Sequence, residues 1–355
     1  GENRPTVPEH PSGWQLGLHW LKFKFITARG KEERLEKLRK AESGQYQAVM
    51  DLILSLGVAT YVRNPDLMVY LAITALRLSF RHGIFHNTGT ALVAYALANL
   101  SVAGNAPAAL KLGDLAWRLS ERHGRLEDKT YTAFMYGAFI HHWGHPHAES
   151  EALLEQSITY SIESANLQFM GYSATHLLAM RHIRGIPLDK LEEEVERYFK
   201  WTGRQKDPHF IETLLLYRHF IRNMQGKTEN LYAFDDGEFR EAAYAEGLSD
   251  ERKKFDYYLC KTQSLYLLEQ TDEAWRFALL AQRQIHAFFG IVTISEHDFY
   301  YCLLLLARMN RMDKRERRRA WRSLRSKRKR FRKWAQHCPS HYVHRLQLIE
   351  AEMAR

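Results

Sequence analysis

The residues with the most chemical potential sit together at His141-His142-Trp143-Gly144-His145-Pro146-His147. Four imidazoles in seven residues can in principle hold a transition metal. His141, His142, His145 and His147 are therefore the metal candidates. Against this, Gly144 splits the i,i+4 pair formed by His141 and His145, and no HExxH is present. The plainer expectation is a helix end rich in aromatic rings, with no metal and no cofactor. A second candidate is His337-Cys338, followed by Pro339-Ser340-His341, which places a thiol beside imidazoles. It carries no Ser/His/Asp or Cys/His family spacing, so a packed helix end is again expected. Gly226-Lys227-Thr228 imitates the end of a phosphate-binding loop, but Ile221 stands where the first glycine is required. With GxSxG, GxGxxG, HRD and DFG also missing, the expectation is a chain that is not an enzyme.

The basic residues are concentrated. Between Arg308 and Lys333 there are fifteen Lys/Arg and two acids, which exceeds the net +10 of the whole chain and leaves the remainder slightly acidic. Arg317, Arg318, Arg319, Arg322, Arg325 and Lys329 are the candidate anion-binding residues of this segment. Trp321, Leu324, Phe331 and Trp334 recur at intervals of 3, 7 and 3, so one stripe can pack while the cations face outward. Asp298, Glu296, Glu350 and Glu352 are the acids expected to offset the repulsion. Sequence-specific DNA binding is not expected, because no helix-turn-helix or zinc-finger spacing accompanies the charge. Tyr131, Tyr136, Tyr257, Tyr258 and Tyr300 are the candidate partner-binding residues. A groove lined by such rings suits a peptide or a small effector, whereas ordinary burial preferences would place most of them in the core.

The elements that must position these residues are helices. Gly83, Gly104, Gly124 and Gly144 are 21, 20 and 20 residues apart, and Asn166, Gly185, Gly203, Gly226, Gly247, Gln270 and Gly290 continue the series. Gly, and less often Asn, ends helices because it accepts the left-handed conformation at low cost. Between the marks apolar residues follow a 3.6-residue period: Ala109, Leu112, Ala116 and Leu119 in one segment, and Leu153, Leu154, Ser157, Ile158, Ser161 and Ile162 in another. Segments of about 17 residues joined by short turns make antiparallel hairpins. Small residues, among them Ala94, Ala98, Ala109, Gly113 and Ala116, permit close helix approach. The expected fold is all-α, a tetratricopeptide-like α-solenoid of six to seven helix pairs. Residues 1–63 would form a helical cap, with an apolar helix over 14–26, and residues 64–355 the array, with a basic helix at 308–337. Residues 231–248 read as a weak helix within the loop-richest stretch.

Three scattered cysteines (Cys260, Cys302, Cys338) fit a reducing, cytoplasmic setting. No apolar run approaches the roughly 18 residues of a membrane span.

The segments RNPDLMVYLAITALRLSFRHG, TALVAYALANLSVAGNAPAALKLGDLAWRLSERHG and YTAFMYGAFIHHWGHPHAESEALLEQSITYSIESANLQFMGYSATHLL, with WAQHCPSHYVHRLQLIEAEMAR near the C-terminus, follow a shared order. Together they resemble the helical-repeat region of multidomain bacterial signalling proteins. In those proteins a serine/threonine-kinase-like module and an AAA/STAND-type ATPase precede the array, and a GAF domain with a histidine kinase or other output follows. The resemblance implies a non-catalytic sensory or regulatory scaffold. Its partners would be a protein segment, neighbouring domains of the same polypeptide, or a small effector. The alternative is an adaptor for nucleic acid or an anionic surface acting through residues 308–333.

Overall fold

The computed structural model of the protein describes residues 11–27, 31–56, 60, 64–102, 104–202, 207–285 and 288–355. These residues form sixteen α-helices, short 3-10 turns and no strand, apart from one isolated bridge between Lys40 and Ile84. The fold is all-α, as expected. It divides into two compact units, residues 1–141 with 156–170, and residues 142–155 with 171–355. The expected boundary at residue 63 lies outside the described residues, as does the breaker Gly203.

In the first unit α1 (Gly13–Thr27), α2 (Gly44–Ser55), α3 (Pro65–His82), α4 (Thr88–Ser101), α5 (Ala106–His123) and α6 (Leu126–Phe139) succeed one another. Each of α3 to α5 packs on the next, and α4 also reaches α6, the next helix but one. That pattern of nearest and next-nearest neighbours is what a helical-repeat array requires. Entry is set by Asn64 and Asn105, whose side chains accept from Leu67 N and Ala108 N at 3.1 Å ahead of prolines in the first turn. The apolar stripe Ala109, Leu112, Ala116 and Leu119 is buried. Close approach rests on glycines as expected: a methyl group on Gly89 would meet Ala116 O at 2.7 Å, and one on Gly113 would meet the Tyr136 ring at 2.2 Å.

Helices α7 (His147–Glu163) and α8 (Leu167–Arg184) have residues in both units. The second unit continues with α9 (Leu188–Thr202), α10 (Pro208–Met224), α11 (Glu241–Gly247), α12 (Glu251–Leu267), α13 (Thr271–Gln284), α14 (Thr293–Ala307), α15 (Lys314–His337) and α16 (Pro339–Ala354). Here α9 packs on α10, α10 on α12, α12 on α13 and α14, and α14 on both α15 and α16.

Four local expectations differ from the structure. The residue that turns left-handed near 166 is Ala165 (φ 54°), and Asn166 instead caps the next helix, accepting from Phe169 N at 3.4 Å. Near 270 it is Glu269 (φ 60°), one residue before Gln270. Ile162, expected in the buried stripe, is 50% exposed. Residues 231–248 are helical only over Glu241–Gly247. The loop before that helix is pinned by Asn223, whose amide donates to Thr228 Oγ1, Leu231 O and Ala233 O at 2.9–3.0 Å while its oxygen accepts from Ser264. Backbone carbonyls satisfied by a buried amide replace helical bonds here.

Candidate functional site

Helix α15 begins where Asp313 accepts from Arg315 N and Glu316 N, both at 2.7 Å, and Glu316 returns the contact to Asp313 N at 3.2 Å. This reciprocal cap fixes the start of a 24-residue helix, about 36 Å long at 1.5 Å per residue. Its inward face is Ala320, Leu324, Lys327, Phe331 and Ala335. Leu324 and Phe331 are fully buried, while Trp321 and Trp334 are only half-buried. Trp334 nonetheless packs 5.0 Å from both Phe331 and Trp143, and Trp143 Nε1 donates to Gly290 O at 3.0 Å.

The inward cations are matched by acids. Asp298, fully buried on α14, holds Lys327 and lies 2.8 Å from Arg330 Nη1. Lys327 also donates to Gln282 Oε1 at 2.9 Å and rests 4.5 Å over the Tyr301 ring. Burial alone would raise the Asp298 pKa, but the His297 contact and the charges of Lys327 and Arg330 hold it well below the usual carboxylate range. Glu350 takes Arg332 at 2.6 Å and Arg328 at 3.9 Å. Asp272 takes Arg308 and, at 3.5 Å, Arg311. Two of the four expected acids thus meet the basic helix. Glu296 instead faces Arg345 of α16 at 2.7 Å, and burial raises its pKa against that charge. Glu352 forms no ion pair with a described residue.

The outward cations differ. Arg315, Arg318, Arg322, Arg325 and Lys329 recur at 3, 4, 3 and 4 residues, which places them in one line along the helix. Lys314, Arg317 and Arg319 flank that line. All eight are exposed, and none forms an ion pair with a described residue. Several are like-charge neighbours at i,i+3 and i,i+4, an arrangement costing about 0.2–0.5 kcal/mol per pair. Lys314, Arg315 and Arg317 also occupy the first turn, where the helix dipole disfavours cations.

The five tyrosines occupy different settings. Tyr136 is 1% exposed and donates to Asp114; Tyr257 is 5% exposed and donates to Glu241 Oε1 at 2.7 Å. Their hydroxyls serve the fold. Tyr131 is half-buried, edge-on to Phe169 at 5.5 Å, with its pKa pushed up to about 12 by burial. Tyr258 and Tyr300 are half-buried, and Tyr300 lies edge-on to Tyr266 at 5.3 Å. Tyr131 and Tyr136 belong to the first unit, and Tyr257, Tyr258 and Tyr300 to the second.

Of the four candidate histidines, His141, His142 and His147 are buried and His145 is half-buried. His141 lies edge-on to Tyr136 at 5.0 Å, and His142 is fully buried beside Trp143. His145 Nδ1 is 3.6 Å from Glu149. His147 stacks on His341 at 3.5 Å, and His341 Nε2 accepts from its backbone N–H at 2.7 Å. Burial and the neighbouring imidazole push His147 down to about 2; burial and Arg345 push His341 down to about 4. Both are neutral near pH 7. Cys338 is buried with its Sγ 3.5 Å from His145 O, and burial raises its pKa, the reverse of an activated thiol. Lys227 of the false phosphate loop pairs with Glu192 at 2.5 Å. That loop follows the C-terminus of α10, the end that repels phosphate.

Composition and periodicity gave no warning of two buried nodes. Glu151 receives Arg184 at 2.7 and 2.8 Å and also faces Arg181, which reaches Glu155 and Glu194. Glu241 joins Tyr257, Lys261 and Phe234 N. A cavity among Tyr217, Cys260, His182, Gln263, Asp256 and Glu296 has room for about one water molecule. That is far below the several hundred Å³ of an organic-ligand site.

The chain is similar to the hybrid signal transduction histidine kinase G of Dictyostelium discoideum, with 20% identity over 168 residues. The match covers 47% of this chain and 5% of that protein. No family model and no solved structure matches. No described helix is long and apolar enough to cross a membrane.

Proposed function

We propose that this chain is a non-catalytic helical-repeat scaffold of a larger signal-transduction polypeptide, binding a protein segment of a neighbouring domain. The observation that carries this reading is the similarity to a histidine kinase of which the match spans only a small part, in a chain folded as stacked helices. Neighbour-on-neighbour packing supports the role, because a segment seated across successive helices can bias how they stack. The ionisable groups support it too. Buried thiols are raised and buried imidazoles lowered, and the cavity beside Cys260 is water-sized. Tyr258 and Tyr300 are the partner-facing residues of this reading, since both are only half-buried.

The test uses the full-length polypeptide. Autophosphorylation of its kinase output should change when Tyr258→Ala and Tyr300→Ala are combined, and the isolated chain should show no magnesium-dependent ATP turnover. Unchanged output with the fold retained, or ATP turnover abolished by a point substitution in this chain, would overturn the proposal.

A further inference from the structure

We infer that the outward line of α15 is a docking surface for an anionic lipid bilayer, independent of any segment bound elsewhere on the scaffold. The fold uses its acids selectively: Asp298, Glu350 and Asp272 engage Lys327, Arg330, Arg328, Arg332, Arg308 and Arg311. Eight exposed cations are left without an acid among the described residues. Packing cannot account for them, because the helix buries its opposite face. Helix stability cannot either, because they repel one another and three sit at the positive end of the dipole. An external anion relieves both penalties.

Geometry selects the kind of anion. From Arg315 to Lys329 the line runs about 21 Å, one charge per roughly 5 Å, along one ridge of the helix. A planar surface meets every residue of such a ridge at once. The exposed positions between residues 314 and 329 are Lys and Arg apart from Ser326 and Glu316, whose carboxylate is turned to the Asp313 backbone N–H. Trp321 is half-buried, and none of these exposed positions carries an aromatic ring to stack a base or an amide to read a base edge. With no apolar side chain there either, nothing would insert into the acyl region. Attachment would therefore be purely electrostatic and reversible. Clusters of four to eight cations on an amphipathic helix reach this regime against acidic lipid.

The experiment is co-sedimentation of the whole chain with phosphatidylcholine vesicles and with vesicles in which about a third of the lipid is phosphatidylserine. Binding is expected only to the acidic vesicles, weakening as salt rises because exposed charges are screened within about 10 Å at 0.1 M. Each neutralised cation should cost about fivefold in partitioning, equivalent to about 1 kcal/mol. The triple variant Arg318→Gln, Arg322→Gln, Arg325→Gln should then bind about a hundredfold more weakly. The charge-matched control Lys190→Gln, Arg240→Gln, Arg276→Gln should stay within about twofold of the parent. Circular dichroism of each variant verifies that the helices persist. The inference is overturned if acidic vesicles are not bound, if the two triple variants lose equally, or if a 20-base-pair DNA duplex is held more tightly than acidic vesicles at equal salt.

Discussion

Asp298→Asn on α14 is the most informative single change for the packing of the basic helix. It removes the charge that Lys327 and Arg330 share while leaving the side chain's size intact. Lys327 is 7% exposed and cannot turn into solvent. Stranding one partner of a buried pair costs about 3–5 kcal/mol. The lower end applies here, because Lys327 keeps Gln282 and the Tyr301 face. For a unit of about 200 residues, 1 kcal/mol moves Tm by about 2–4 °C. Asp298→Asn should therefore lower Tm by about 6–12 °C in calorimetry at pH 7. Lys327→Met should cost about half as much, since Asp298 retains Arg330 and the contact with His297. The double variant Asp298→Leu, Lys327→Met should recover most of the loss, because apolar replacement of a buried pair is often neutral or better.

The pH dependence has a definite sign. The Asp298 pKa is depressed in the folded protein, so its contribution is complete above the unfolded value of about 3.9 and is lost as pH falls through the folded one. Parent and Asp298→Asn should keep their separation from pH 7 down to about pH 4 and converge only in stronger acid. A Tm for Asp298→Asn within 2 °C of the parent, or a double variant less stable than both singles, would refute the pairing.

Three further outcomes are expected. Phe331→Ala should destabilise by about 3–5 kcal/mol in denaturant unfolding, while replacing Arg317, Arg318 and Arg319 together by Gln should leave the midpoint unchanged; the reverse ranking would invert the helix orientation. Gly113→Ala should cost about 1–3 kcal/mol, because its methyl must displace a buried tyrosine ring, and thermal melting of that variant checks it. Stability should fall as pH drops from about 6.5 to 4, because desolvation holds the pKa values of His147, His176, His182 and His341 below that of the unfolded chain. Calorimetry should find net proton uptake on unfolding at pH 5, and none at that pH would contradict it.

The fold was legible because its signals are local. Glycine at Gly83 and a 3.6-residue apolar period each constrain a few consecutive residues. The apolar stripe of α5 is buried as its spacing requires. Where Ala165 and Glu269 take the left-handed turn, the rule failed by one residue. Once neighbouring helices fix the chain's path, a non-glycine residue can be held at positive φ. The loop around Phe234 was illegible for a different reason: its order comes from Asn223, Ser264 and Glu241, which only the fold brings together. The same limit governs the candidate site. Counting charges located the basic helix, and the apolar interval oriented it. Which acids it would meet depended on α14 and α16, so Asp298 and Glu350 were placed correctly while Glu296 turned to Arg345.

The tyrosines make the complementary point. Ring-rich helices look alike whether they line a groove or a core, because both demand aromatic surface on one face. The deciding quantity is the hydroxyl's partner. Tyr136 and Tyr257 donate to Asp114 and Glu241 inside the fold, so a ligand would have to break a buried hydrogen bond to use them. Tyr258 and Tyr300 bear no such cost. The cations of α15 divide by the same test, into those whose charge the fold consumes and those it leaves outward. In each case the residues left available for binding are those whose polar groups the fold does not itself require.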